Sequence, residues 1–177
     1  MSFLSHAAPC VEVDPEAPLE KGVPGLLRRY GPCVDVDRRA AREAVVREHF
    51  ESESAQDFDV TLATFDHPHY EVIATNSTYD GRDEVMGYYT MTRTAFPDQR
   101  HDNVRLHHTD DAVIAEFDLL GTHLGELMGV PPTGKSFRCP VIAIFFFDGE
   151  KIANERIYFD TMTILSQLGV AASPITS

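Results

Sequence analysis

The second half of this chain carries long segments with strand-like patterns, and short turn signals separate them. Residues 112–123 alternate apolar and polar side chains, residues 137–147 are rich in Ile and Phe, and residues 151–159 follow directly. Thr109-Asp110-Asp111 and Asp148-Gly149 are typical of tight turns. With a further strand over residues 100–108, this pattern predicts a meander of long antiparallel strands.

Helical spacing dominates the first half of the sequence. Apolar residues recur at helical intervals from Asp37 to Phe50, in a short segment over 57–65, and over 82–95, where Pro97 ends the pattern. A short strand is expected over 70–75, and a last helix should run from a cap at Asp160 to Gly169. Helices followed by a strand meander predict an α+β fold, whose curved sheet leaves a concave face for a ligand.

The length of 177 residues indicates a single domain, which we place at residues 36–170. Residues 1–35 contain five prolines and are expected to form an extension that packs on the domain or on a partner subunit. Residues 171–177 are expected to be a tail.

Charge and apolar run length restrict the partners. The formal net charge is −13, which argues against nucleic acid and anionic membranes because both require a basic surface. The longest apolar run, Val141–Phe147, is too short to span a bilayer, and the N-terminus lacks a signal-peptide pattern, so a cytoplasmic location is expected. The three cysteines follow no metal-binding spacing, and neither a metal nor another cofactor is expected.

Several short motifs occur in a characteristic order. They are Phe96-Pro97-Asp98, Gly121-Thr122-His123 with Gly125, Pro132-Thr133-Gly134-Lys135, Asp148-Gly149 with Lys151-Ile152, Asp160, and Gln167-Leu168-Gly169. Over about residues 38–169 this order resembles the SnoaL-like polyketide cyclases (ester cyclases) of the nuclear transport factor 2-like superfamily. The resemblance implies a cone-shaped, cystatin-like curved antiparallel sheet, wrapped by N-terminal helices around a pocket. It also implies a homodimer that pairs through the outer face of the sheet.

Strand parity selects the side chains that face such a pocket, because alternate residues share a face. Over residues 113–123 the odd-numbered set is the more apolar, which places Phe117, Leu119 and His123 inward. The resemblance agrees, since the His of the Gly-Thr-His motif lines the family's pocket. Phe145 on the next strand and Ile73 on the first are expected to line the pocket as well.

Hydrophobicity does not decide the parity of the last strand. Alignment with relatives places Arg156 where a pocket-facing Trp is common, which favours Asn154, Arg156, Tyr158 and Asp160 as the inward set. Arg156 and Tyr158 would then stabilise an oxyanion, and Asp160 would orient His123 or Arg156. Two structural alternatives stay open. Arg156 and Tyr158 could lie on the outer face of the sheet, and Asp160 could serve only as a helix cap.

The sequence departs from the family where the usual acid/base groups are found. The segment 136–139 lacks the carboxylate of the ring-closing relatives, and Ile73 replaces a His or Asp. Glu71 is the nearest substitute base, and His123 is the first candidate for acid/base catalysis because an imidazole titrates near neutrality.

These observations favour a cofactor-independent enzyme performing aldol cyclisation, isomerisation or dehydration on a small, apolar, carbonyl-containing substrate. One alternative is a non-catalytic module that binds a small molecule or pairs with a partner. A weaker alternative is an epoxide or ester hydrolase that would use Glu71 and Asp160.

Overall fold

The computed structural model describes residues 36–170, so the predicted extension and tail lie outside the described part of the chain. The elements are α1 (Val36–Ala55), α2 (Phe58–Ala63), β1 (His69–Val72), β2 (Ser77–Asp80), α3 (Arg82–Ala95), β3 (Arg100–His108), β4 (Ala112–Thr122), β5 (Ser136–Asp148), β6 (Lys151–Phe159) and α4 (Thr161–Leu168). No helix in this part of the chain is long and apolar enough to cross a bilayer.

The six strands form one sheet in the order β2-β1-β6-β5-β4-β3. Strands β3 to β6 make the predicted antiparallel meander. Strand β1 instead pairs with β6 in parallel, so the sheet is mixed rather than wholly antiparallel. The predicted first strand is also shorter than expected, because residues 73–75 form a 3-10 turn that leads through left-handed Asn76 into β2.

The core lies between the helices and the concave face of the sheet. The Phe50 ring of α1 packs edge-on against Phe117 of β4 and Phe145 of β5, at centroid distances of 5.0 and 5.5 Å. Helix α3 contributes Val85 and Tyr89, which are fully buried. The buried face of α1 also carries His49 and Glu53, one turn apart, and these polar groups bring charge into an otherwise apolar interior.

Candidate functional site

A cavity of about 330 Å³ opens inside the cone, and its lining is mostly aromatic and aliphatic. Its exposed end is formed by Met128 of the β4–β5 loop and Val170 after α4. Its buried end carries two carboxylates, Glu53 and Glu155, which are almost inaccessible to solvent. The cavity is therefore apolar along its walls and acidic at its deepest point.

Strand β4 presents the side chains that its sequence pattern indicated. Phe117 and Leu119 line the cavity, and the buried residues alternate along the strand. Phe145 on β5 also points inward, but it packs against Phe50 and against His49, at a centroid distance of 5.3 Å, and is not a cavity-lining residue.

The expected parity of β6 is wrong. Glu155 and Ile157 face the interior, whereas Asn154, Arg156 and Tyr158 lie on the outer side of the sheet. The pairing with β5 shifts between Phe146 and Phe147, which leaves Ala153 as an extra residue in β6. This bulge brings Ile152 and Glu155, three positions apart, to the same side.

The inferred base Glu71 belongs to an outer-face cluster. Its carboxylate accepts hydrogen bonds from Arg156 Nε at 2.5 Å and from Asn154 Nδ2 at 3.2 Å. The bond from Arg156 lowers the pKa of Glu71, so this carboxylate stays ionised and engaged away from the cavity. Ile73, in the 3-10 turn, is 43% exposed and does not line the cavity either.

Asp160 and Tyr158 also lie outside the cavity. Asp160 accepts hydrogen bonds from the backbone N–H of Met162 at 2.9 Å and from the Thr163 hydroxyl at 2.6 Å, which makes it the N-cap of α4. Tyr158 is 39% exposed in an open depression on the outer sheet face. The structural alternative for both residues is the one that the geometry favours.

His123 is fully buried beside the cavity rather than on its wall. Its Nδ1 lies 3.3 Å from the backbone N–H of Thr133, which donates to it, and its ring packs 5.5 Å from that of Phe96, a lining residue. Because Nδ1 accepts a hydrogen bond, the neutral ring carries its proton on Nε2. His123 thus anchors the β4–β5 loop and does not reach the cavity.

Five buried polar side chains converge at the closed end of the cavity: His49, Glu53, Arg93, His101 and Glu155. Arg93 Nη2 donates to Glu53 Oε1 at 2.6 Å. His49 Nε2 lies 3.2 Å from Glu155 Oε2 and 3.6 Å from Glu53 Oε2. His101 Nε2 lies 3.8 Å from Glu53 Oε2. Within residues 36–170, no group of three or more His, Cys, Asp or Glu side chains is arranged to hold a metal ion.

The hydrogen bonds of Thr64 determine which nitrogen of His49 carries a proton. The Thr64 hydroxyl donates to the Thr61 carbonyl at 2.6 Å, so its oxygen must accept from His49 Nδ1, 3.0 Å away. Nε2 then faces Glu155 either as an acceptor or, in the imidazolium, as a donor. Its 3.2 Å distance from Glu155 Oε2 is short enough for a proton to pass between the two groups after a small reorientation.

Burial and charge set the protonation of this cluster. Burial raises the pKa of Glu155, and contacts with His49 and Tyr70 offset only part of that rise. Burial also acts to raise the pKa of Glu53, but His101, Arg93 and His49 outweigh it and the pKa of Glu53 is lowered. Glu53 is therefore an ionised structural partner, whereas Glu155 retains a proton to a higher pH than an exposed carboxylate.

Sequence reasoning misses this cluster because the expected parity of β6 puts Arg156, and not Glu155, on the inner side. No sequence motif points to His49 or Glu53. One local signal existed: His49 and Glu53 lie one turn apart on the helix face that also carries Phe50. Polar residues on a core-facing stripe are unusual and often functional.

The family model of the SnoaL-like polyketide cyclases matches residues 43–168. None of the curated proteins matches the chain.

Solved structures show the same fold. IdmH from Streptomyces antibioticus, a candidate polyketide cyclase, is 24% identical with a TM-score of 0.63, over 73% of this chain and 99% of that one. AclR from Streptomyces galilaeus, a candidate hydroxylase, is 19% identical with a TM-score of 0.67, over 78% and 89%. A protein of ketosteroid isomerase-like fold from Catenulispora acidiphila, in complex with trimethylamine, is 18% identical with a TM-score of 0.64, over 75% and 97%. The descriptions of these three proteins imply different reactions. The similarity therefore shows the fold, and the reaction must be inferred from the residues of the site.

Proposed function

The chain belongs to the SnoaL-like polyketide cyclase family, and from that premise we propose that it is an acid/base enzyme acting on a small, apolar, carbonyl-containing substrate. The reaction class is proton transfer next to a carbonyl, as in aldol cyclisation, isomerisation or dehydration, and it requires no cofactor. Glu155 is the residue to which we assign the proton transfer, in place of His123 and Glu71.

The observation that carries this proposal is a carboxyl group buried at the end of an apolar cavity. Glu155 is 1% exposed, lines the cavity, and its Oε2 makes no aligned hydrogen bond within residues 36–170. Burial raises the pKa of Glu155 towards neutrality, where a carboxylate is a stronger base and its acid is readily reformed. A substrate held by the apolar walls would present its acidic C–H to this group.

A tyrosine on the wall supplies a hydrogen-bond donor for the developing enolate oxygen. Tyr70 and Tyr88 both line the cavity, with ring centroids 5.3 Å apart. Burial raises the pKa of each phenol, so both stay protonated; Tyr70 interacts with Glu155, which leaves Tyr88 to donate to the substrate. Because the charge develops in a site with little water, such donors stabilise it more than they would in solution.

A substrate-independent experiment tests the assignment. The bicyclic ketone 1-tetralone is incubated with the protein in D2O, and exchange of its α-hydrogens is followed by NMR. We expect catalysed exchange by the wild type and a loss of at least about 100-fold in Glu155→Gln, since general-base catalysis contributes roughly that factor or more. His123→Asn and Tyr158→Phe serve as matched controls and should exchange at nearly the wild-type rate.

Two results would go against the proposal. Exchange that persists in Glu155→Gln would remove Glu155 as the base. Saturable binding of 1-tetralone, seen by saturation-transfer NMR, without any exchange would favour the alternative of a non-catalytic binding protein.

A homodimer through the outer sheet face is a further part of the proposal. Ile142 on β5 is 42% exposed on that face, next to Tyr158 and partly buried Ile144. Such an apolar surface is favoured in an interface. Light scattering after size exclusion should give a dimer for the wild type and a monomer for Ile142→Glu, and a monomeric wild type would contradict the dimer.

A further inference from the structure

His101 separates the internal cavity from a second depression on the outside of the molecule. On one side it lines the cavity; on the other it lines a surface depression between α1 and β3, together with Arg47, Glu51 and Ser54. Its side chain is only 5% exposed, and the ring is held between Phe50 and Phe117 at centroid distances of 4.7 and 5.0 Å. His101 and Phe50 thus separate the surface depression from the cavity, and of the two only His101 can carry a proton.

Polar atoms continue from this wall to Glu155 in short steps. The hydroxyl of exposed Ser54 lies 3.1 Å from His101 Nδ1, and His101 Nε2 lies 3.8 Å from Glu53 Oε2. Glu53 Oε2 is 3.6 Å from His49 Nε2, which is 3.2 Å from Glu155 Oε2. The longest step is 3.8 Å, so small side-chain movements suffice to close each gap.

Exchange of the Glu155 proton with solvent while the cavity is filled needs such a route. After Glu155 has taken a proton from a bound substrate, the substrate itself blocks the open end. At that end, Met128 and Val170 carry no side-chain group that can pass a proton. The proposed reactions return the abstracted proton to the substrate or its leaving group, so the other path serves exchange of the Glu155 proton with solvent and not net proton release.

The charges around His101 keep its ring suited to this task. Burial lowers the pKa of His101, while Glu53 opposes that shift and Arg93 and His49 add to it. The ring is then neutral at neutral pH, with one nitrogen donating and the other accepting. It can take a proton on one nitrogen as it releases the proton of the other, which leaves its net charge unchanged.

We propose that Ser54, His101, Glu53 and His49 form a proton relay that connects Glu155 to solvent on the α1 side of the molecule. The role of the relay in turnover rests on the proposed function of Glu155, but the relay is a property of the unliganded protein as well. In this relay His101 is a positioning and transfer residue, and it does not touch the substrate's reacting atoms.

Exchange of the labile ring protons of His49 with water tests the relay without any substrate. The rate is measured by NMR on protein with 15N-labelled histidine, in the wild type, His101→Phe and His101→Gln. Phe keeps the ring packing against Phe50 and Phe117 but cannot carry a proton, and Gln keeps polarity but cannot change its protonation. Both variants should slow the exchange at least about tenfold, as expected when a proton-transfer group is removed. His108→Gln, another β3 histidine that lies 3.4 Å from Glu43, is the matched control and should exchange at the wild-type rate.

Saturating 1-tetralone distinguishes the two possible routes. Exchange through the relay should continue in the wild type with the cavity filled, whereas exchange through the open end should stop. Unchanged exchange in both His101 variants, or its loss on addition of 1-tetralone, would overturn the relay. Either outcome is independent of whether Glu155→Gln abolishes α-hydrogen exchange, so failure of the relay and failure of the proposed function are separable.

Discussion

His49 Nε2 and Glu155 Oε2 lie 3.2 Å apart in the interior, on side chains that come from the first helix and the last strand. Because His49 Nδ1 already donates to Thr64, a proton bound by either Nε2 or Glu155 lies between these two groups. Burial raises the pKa of Glu155. Burial lowers that of His49, but Glu155 and Glu53 outweigh it, so the pKa of His49 is raised too. The native state therefore binds this proton more tightly than the unfolded chain does.

This difference predicts a pH-dependent effect of Glu155→Gln. Where the folded state binds more protons than the unfolded state, the free energy of unfolding falls as pH rises. The stability of the wild type relative to Glu155→Gln should thus decrease from pH 5 to pH 8.5, a range that starts above the usual Glu value of 4.5. Urea unfolding at a series of pH values measures this. The exposed Glu116→Gln should show no such trend. If the free energy of unfolding of the wild type instead rose with pH relative to that of Glu155→Gln, the more tightly bound proton in the native state would be contradicted.

The buried ion pair between Glu53 and Arg93 predicts a large cost for breaking one side. Both side chains are about 5% exposed or less, and their contact is 2.6 Å. Arg93→Met should destabilise the protein by about 3–5 kcal/mol, because it leaves a buried carboxylate without its main partner. The double variant Glu53→Gln/Arg93→Met should have a higher free energy of unfolding than Arg93→Met alone, because it leaves no unpaired buried charge. Chemical denaturation of the three proteins measures this. The exposed pair of Glu43 and Arg47 is the control, and its disruption should leave the midpoint nearly unchanged.

Gly125 fixes the approach of the β4–β5 loop to α3. A Cβ at this position would lie 2.0 Å from the carbonyl oxygen of Thr94, while Leu124 and Gly125 both donate backbone N–H bonds to Ala95. Gly125→Ala must displace backbone and should cost about 1–3 kcal/mol, as overpacking does. Gly87→Ala, in open space on α3, should instead stabilise by about 0.5–1 kcal/mol through helix propensity. Equal thermal shifts for the two variants would refute this account of the loop.

Asp160 is expected to act on stability and not on catalysis. Asp160→Ala removes the cap of α4 and should lower the melting temperature by a few degrees. Asp160→Asn, which can still accept from the Met162 N–H, should melt close to the wild type. Both variants should keep wild-type α-hydrogen exchange of 1-tetralone. Loss of this exchange in both Asp160→Ala and Asp160→Asn would show that Asp160 takes part in catalysis.

The prediction for the sheet succeeded where hydrophobicity along one strand was decisive. The odd-numbered residues of β4 are all apolar, and this alone assigns Phe117 and Leu119 to the inside. The turn signals at Thr109-Asp110-Asp111 and Asp148-Gly149 set the boundaries of β4, β5 and β6 to within a few residues. These features are local, because side-chain alternation and turn chemistry depend on neighbours in the sequence.

The candidate site, by contrast, was decided by tertiary structure. An inward Glu155 is tolerable only because His49 and Tyr70, from α1 and β1, surround its carboxyl group. In a regular strand, Asn154 and Arg156 would face the same side as Ile152. The bulge at Ala153 places Glu155 on that side instead. The sequence by itself predicted the helices, the meander of β3 to β6 and the inner face of β4, but it did not predict β2 and left Asp160 open between a helix cap and a site residue. Which charged residues are buried depended on partners far away in the sequence, because desolvation is offset only by groups that the fold brings together.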